Sequence, residues 1–224
     1  MAFFINLDTA IERRLKFMDS TATQGDKDYK RWRATPREEV PELIDHKMLS
    51  MYNFGRDAHL ARCGCFISHV KLLEHIVENQ LLDVLILEDD AIQVNPLPLV
   101  YPRDSIVYVG GFIYNRKMMD ESKVLIDHSI GMNLCPPEYR ILGTVSYIIP
   151  DWRVALDILD RIKSQKRYKA IDIMLGNIGL KQYYNYPGSF REEGSISQIS
   201  SKNKIQTENY EFITLKKYNS KYKE

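Results

Sequence analysis

The chain has 224 residues and a mass of 26.2 kDa, a length that suits one domain with one sizeable core. Its composition, 44% hydrophobic, 27% charged and 11% aromatic with 11 Gly and 9 Pro, excludes disordered, collagen-like and fibrous classes. The 31 Lys and Arg against 30 Asp and Glu leave a net charge of +1, so no global field points to nucleic acid or to a broadly basic partner, and specificity has to come from local sites.

Cys63, Cys65 and Cys135 lack any C-x-x-C spacing; the set suits a reducing compartment and fits neither a disulfide framework nor a zinc site. No stretch approaches the roughly 18 to 20 apolar residues of a membrane span, and the N-terminus meets Asp8 too early for a signal-peptide core. The expectation is a cytoplasmic protein of one domain, residues 1–224, with 202–224 a flexible or peripheral tail. The tail's Lys216, Lys217, Lys221 and Lys223 are suited to the inner face of an anionic membrane, although a frayed, solvated end explains them as well.

In chain order, Phe3 to Leu7 reads as a short buried strand. Thr9 and Glu12 have the spacing of a capping box, and Ile11, Leu15 and Met18 form one apolar stripe on the helix that follows. Residues 29–53 show no clear period. Asp57 is placed to cap a helix with Leu60, Cys63, Ile67, Val70, Leu73 and Val77 on one face, and this leads into the continuous apolar run Asp83 to Leu87, the pattern of a central strand. Further strands are expected at Ser105 to Val109, Ser146 to Ile149 and Gln182 to Tyr186, with a helix from Asp151 to Ile162. The alternation implies an α/β domain with a mostly parallel central sheet.

The sharpest feature is Leu85-Ile86-Leu87 running straight into Glu88-Asp89-Asp90. Ligands of open α/β sheets bind beyond the carboxyl ends of strands, so these acids stand where chemistry is expected. Three crowded like charges repel, and a divalent cation is the simplest way to keep them ionised, with Glu88 and Asp90 on one side of an extended backbone. The plain alternative is a solvated strand end. A phosphorelay receiver also sets paired acids beside a strand, but there they follow the first strand, whereas here they follow roughly the third.

Several motifs appear in a telling order: Phe4-Ile5-Asn6-Leu7-Asp8 with Glu12-Arg13-Arg14, Arg31-Trp32-Arg33-Ala34, Gly64-Cys65-Phe66-Ile67-Ser68-His69, Leu87-Glu88-Asp89-Asp90, Gly143-Thr144-Val145-Ser146-Tyr147-Ile148, and Ile171-Asp172. In this order and spacing the chain resembles glycosyltransferase family 25, the lipooligosaccharide galactosyltransferase type, from Phe3 to about Ser201. The resemblance implies a nucleotide-diphospho-sugar-binding (GT-A-like) fold, inverting transfer from a UDP-sugar that is commonly UDP-galactose, a glycan or glycoconjugate acceptor, and a manganese ion.

Carried over by residue, the resemblance makes Asn6, Leu7, Arg13 and Ala34 the nucleoside end of a donor site that Ser68 and His69 also border. It makes Asp90, with Glu88 and Asp89, the metal centre, and Asp172 the general base. Two departures stand out. The last of five histidines is His128, which leaves the third metal ligand unassigned, and Thr35-Pro36-Arg37 replaces the loop of many relatives. Ser195, Ser197 and Ser201 have hydroxyls and backbone amides suited to donor phosphates, although Ser-rich loops are more often plain surface. A catalytically silent relative that binds a nucleotide sugar or a protein partner is the alternative function; intact Glu88 to Asp90 and Asp172 argue against it.

Overall fold

The computed structural model describes residues 1–22, 28–48, 55–115, 129–192 and 211–212. The Lys-rich end, His128 and the three serines of the 194–201 segment lie outside them.

A seven-stranded sheet organises the chain. Its strands are β1 (Ala2–Asn6), β2 (Tyr29–Arg33), β3 (Leu82–Glu88), β5 (Ile106–Tyr108), β7 (Gly131–Leu134), β9 (Ser146–Asp151) and β10 (Gln182–Tyr186), in the order β2-β1-β3-β9-β5-β10-β7. Five strands run in one direction. β9 runs antiparallel to both of its neighbours, β3 and β5, and β7 runs antiparallel to β10. The sheet is therefore mixed, with the antiparallel strand in its middle rather than only at an edge. Two short sheets flank it: β4 (Ala91–Gln93) with β11 (Phe190–Glu192), and β6 (Phe112–Asn115) between β8 (Tyr139–Leu142) and β12 (Glu211–Phe212).

Strand alternation divides the core in two. Phe3, Ile5, Val84, Ile86, Tyr147 and Ile149 face α3 (Gly55–Glu78), α4 (Trp152–Lys163) and α5 (Ile171–Asn177), whereas Ala2, Phe4, Leu85, Leu87 and Ile148 face the side that carries α1 (Ile11–Ala22) and Phe190. A strand buried on both faces has no polar alternate positions, which is why β3 reads as an unbroken apolar run. Asp151 caps α4 by accepting the Arg153 N–H at 2.9 Å. None of the helices among the described residues is long and apolar enough to cross a membrane.

α1 departs from expectation. It starts at Ile11, its first turn closed by the Arg14 N–H on the Ala10 carbonyl, and Thr9 stays in the preceding turn instead of capping it. The stripe of Ile11, Leu15 and Met18 faces solvent at 52%, 61% and 44% exposure, while Phe17 is buried and stacks on Phe4 at 4.4 Å. The helix is turned by the pair Arg13 and Phe17, four apart on one face: Phe17 packs on the sheet and Arg13 reaches the acids after β3. The 29–53 region, without period, contains β2, a short 3-10 turn at Arg37–Glu39 and α2 (Glu42–Lys47).

α3 is buried on nearly every side through its middle, and it approaches the loop after β2 so closely that a Cβ on Gly64 would stand 2.4 Å from the Thr35 carbonyl oxygen. Ser68, one turn on, fixes the same contact: its hydroxyl donates to the Gly64 carbonyl at 2.6 Å and accepts the Thr35 N–H at 2.8 Å. The clashing atom is backbone, which cannot swing aside as a side chain would. Gly64→Ala should therefore destabilise the fold by about 1–3 kcal/mol through overpacking, read as a lowered midpoint in chemical denaturation; an unchanged midpoint would show that the contact is loose.

Candidate functional site

The site lies at the carboxyl edge of β1 and β3. These strands are parallel neighbours, with Ile5 opposite Glu88, so the turn after β1 and the acids after β3 lie side by side at one sheet edge, the edge at which open α/β sheets bind ligands. Asn6, 1% exposed, sits between them. Its side-chain N–H groups go to Asp89 Oδ2 at 2.7 Å and to the Ala10 carbonyl at 3.1 Å, and its Oδ1 accepts Arg31 Nε at 3.0 Å. The Asn6 carbonyl accepts the Ala34 N–H at 3.0 Å, which ties the end of β1 to the end of β2. Leu7 packs against the larger core.

Arg13 supplies the positive charge. One guanidinium nitrogen lies 2.5 Å from Asp89 Oδ1 and 2.7 Å from Asp90 Oδ2. The three consecutive acids are thus not equivalent: Asp89 and Asp90 share Arg13, whereas Glu88 faces the opposite side of the crevice and accepts a short hydrogen bond from the Thr144 hydroxyl. Burial works to raise the Glu88 carboxyl, but the His69 ring, Thr144 and Arg13 outweigh it and hold the carboxyl below its usual range. Asp90 goes the other way. Burial, then the charge of Glu88, push it up to about 7 against the pull of Arg13, and its Oδ1 is buried with no hydrogen-bond partner.

The segment Gly143 to Tyr147 is the scaffold of the site. The Gly143 N–H donates to Asp172 Oδ2 at 3.3 Å, Thr144 bonds Glu88, the Val145 carbonyl accepts the Glu88 N–H at 3.0 Å, and the Tyr147 hydroxyl meets His69 Nδ1 at 2.8 Å. One stretch entering β9 therefore aims both Glu88 and Asp172. Asp172 is in the first turn of α5 but is not its N-cap, a place taken by Ala170 without a side-chain bond; its Oδ1 accepts the Ile173 N–H at 2.7 Å. Burial and then Glu88 raise its carboxyl against the two backbone donors. Burial raises the Cys65 thiol and the Tyr108 hydroxyl, and the charge of Asp172 adds to both, while burial lowers Arg62 against the pull of Asp172.

The candidate donor residues separate by role. Asn6 and Arg13 stand at the acids, whereas Leu7 and Ala34 follow the ends of β1 and β2 and pack into the larger core. Ser68 is turned away: its hydroxyl is used between Gly64 and Thr35, and its carbonyl accepts the Trp32 indole N–H at 3.2 Å. His69 faces Glu88, with Nε2 3.7 Å from Oε1. Sequence reasoning missed Thr144 and Tyr147 as holders of the site, Cys65 beside His69, and Glu192, which pairs with Ala91 across β11 and β4 and adds negative charge at Asp90. The i, i+4 spacing of Cys65 and His69 was the available signal, since it puts both on one helix face.

Residues 1–97 match the sequence model of glycosyltransferase family 25 (LPS biosynthesis protein), in agreement with the resemblance carried by the motifs of that span. No curated protein matches the chain. Among solved structures, the nucleoside-diphosphate-sugar pyrophosphorylase from Vibrio cholerae RC9 aligns over 83% of this chain and 72% of its own at 14% identity, with a TM-score of 0.32, a likeness too slight to argue from.

The Asp90 environment has a measurable consequence. An acid with a folded pKa of about 7, above its ordinary 3.8, keeps its proton in the folded state across that window, so its contribution to stability falls as pH rises from about 4 to 7 and levels off above. In chelator-treated protein the stability of Asp90→Asn relative to wild type should therefore increase from pH 4 to 7 and then stay flat. A difference constant across that range would mean that Asp90 is already ionised at pH 4.

Proposed function

We propose that the protein is a glycosyltransferase with a GT-A-like, nucleotide-diphospho-sugar-binding domain, which transfers a hexosyl group, galactose in our reading, from a UDP-sugar to a hydroxyl of a glycan or glycoconjugate with inversion. The observation that carries this reading is the convergence on one sheet edge of the acids after β3, Arg13 set between Asp89 and Asp90, and the separate carboxylate of Asp172, held by the same Gly143–Thr144 segment that holds Glu88. The family match over residues 1–97 supports the reaction class.

The residues present fit a divalent cation such as manganese. Glu88, Asp89, Asp90 and Asp172 outnumber the three cations that act on them among the described residues, Arg13, Arg62 and Arg140, and the buried Asp90 Oδ1 has no partner, so Glu88 and Asp90 offer oxygen donors to a hard or borderline ion. When bound, such an ion supplies Lewis acidity toward the departing diphosphate. Arg13 adds fixed positive charge beside that group and holds Asp89 and Asp90 in one arrangement. Asn6, Leu7 and Ala34 border the nucleoside end, while Ser68 holds the wall behind it. Asp172, its carboxyl aimed by the Gly143 and Ile173 amides and raised by burial, accepts the proton of the acceptor hydroxyl as that oxygen attacks the anomeric carbon from the face opposite the nucleotide.

Transfer and slow hydrolysis of UDP-galactose, measured with and without excess chelator, test the cation. Both should be lost in chelator and restored by manganese, and undiminished turnover in chelator would refute the role. For Asp172, replacement by Asn keeps the side-chain size and its acceptor oxygen while removing basicity. Turnover should fall by about 10²- to 10⁴-fold with UDP-sugar affinity unchanged, and a variant with normal turnover would reduce Asp172 to a structural acid.

A further inference from the structure

Two clusters among the described residues bring three metal-binding side chains within ligand distance of each other, Asp45-His59-Cys63 and Cys65-His69-Glu88. The first is satisfied as it stands. Asp45 is paired with the Arg56 guanidinium through both oxygens, and His59 Nε2 meets Asp45 Oδ1 at 2.9 Å and Cys63 Sγ at 3.6 Å. In the second, a nitrogen is left over.

His69 is 1% exposed. Its Nδ1 is engaged with the Tyr147 hydroxyl at 2.8 Å, and its ring lies over the Tyr147 ring at 5.8 Å, which fixes the imidazole plane. Without a cation, a proton on Nε2 faces the Glu88 carboxylate and Nδ1 accepts the tyrosine O–H; in the other tautomer Nδ1–H donates to the tyrosine oxygen and Nε2, buried without a hydrogen-bond partner, presents its lone pair to whatever stands beside Glu88. Glu88 Oε1 stands 3.7 Å from Nε2, too far for a hydrogen bond. The separation is close to the roughly 3.4 Å between two donors each about 2.0–2.2 Å from a shared ion at a tetrahedral angle. An imidazole anchored through one nitrogen and open at the other is the arrangement in which proteins present histidine to a metal, the anchor setting tautomer and orientation.

The surroundings favour the same occupant. The Cys65 sulfur, one helical turn before His69, lies within 4.8 Å of a ring nitrogen of His69 and of a Glu88 carboxylate oxygen and stands in the field of Glu88, Asp172, Asp90 and Asp89 together. An orphan nitrogen, a carboxylate and a sulfur meet in a pocket of surplus negative charge, and a cation satisfies all three.

We propose that His69 Nε2 is a direct ligand of the divalent cation at Glu88, with the Cys65 sulfur as the donor beside it. The α3 helix then supplies the ligands that three consecutive acids on one strand end cannot, because Asp89 is turned to Arg13 and Asn6. A nitrogen and a sulfur among the donors shift the site from a magnesium-type set toward ions such as cobalt and zinc, and binding releases the thiol proton to solvent.

This inference rests on the cation-dependent reading of the site. The test uses the full chain loaded with manganese and examined by pulsed EPR. The spectrum should carry the coupling of a directly bound imidazole nitrogen, and growth on ¹⁵N-histidine should convert that coupling to the ¹⁵N pattern in the wild-type protein, so the result does not depend on a buried variant folding. His69→Gln should lose the coupling and weaken manganese about tenfold or more, whereas His59→Gln should keep both. Cobalt should add a sulfur charge-transfer band that Cys65→Ser removes, and a wild-type spectrum without that band would strike Cys65 from the ligand set. Manganese bound stoichiometrically without nitrogen coupling would overturn the role of His69 and leave the cation intact. Failure to bind manganese at all would overturn the cation and the ligand with it.

Discussion

Two adjacent carboxylates buried in one turn repel unless positive charge is held between them, and Arg13 provides it from α1. Much of the local structure follows from that contact. For Arg13 to reach the end of β3, α1 has to present the face of Arg13 and Phe17 to the sheet, which leaves Ile11, Leu15 and Met18 in solvent. Asn6 then closes the arrangement from β1 by donating to Asp89 while its other contacts tie it to Ala10 and Arg31. The edge of the sheet is thereby a preorganised polar centre rather than a frayed strand end, and it is held by groups from β1, β3 and α1 before any ligand arrives.

The second organising element is α3, whose motif Gly64-Cys65-Phe66-Ile67-Ser68-His69 serves two surfaces at once. Positions 64 and 68 face the loop after β2, where the missing Cβ and the serine hydroxyl permit and fix a close backbone approach. Positions 65 and 69, each one residue further round the helix, face Glu88. The same period that joins residues four apart thus splits the motif into a structural pair and a chemical pair. The segment entering β9 is built similarly, with Gly143 on Asp172, Thr144 on Glu88 and Tyr147 on His69. Glu88 and Asp172 are thereby positioned by neighbouring residues of one loop.

Much of this was legible in the sequence, and the physical reason differs by element. β1, β3, β5, β9, β10 and α4 were found because apolar runs and periods report burial directly. The antiparallel direction of β9 was not, since a six-residue apolar strand reads the same both ways and its direction is set by the connections around it. β4, β6, β7, β8 and β11 have only three or four residues each, too few for a period. Glu88 to Asp90 stood out as charge at the end of an apolar run, and Asp172 only through the family resemblance. Thr144 and Tyr147 carried no such contrast, because their roles depend on which strands lie side by side. The solvent-facing stripe of α1 misled for the opposite reason: apolar spacing marks one face of a helix, but a single arginine with two carboxylate partners decided which face turned inward.

The account turns on whether this acidic edge receives a cation and a nucleotide diphosphate together. Crystals grown with UDP and manganese, with data collected at the manganese absorption edge, locate the ion by its anomalous signal without reference to any assumed ligand. The account predicts one strong peak within bonding distance of the Glu88 carboxylate and of the UDP phosphate oxygens, with Arg13 still beside Asp89. UDP bound at this edge with no manganese peak, or a peak remote from Glu88, would contradict it.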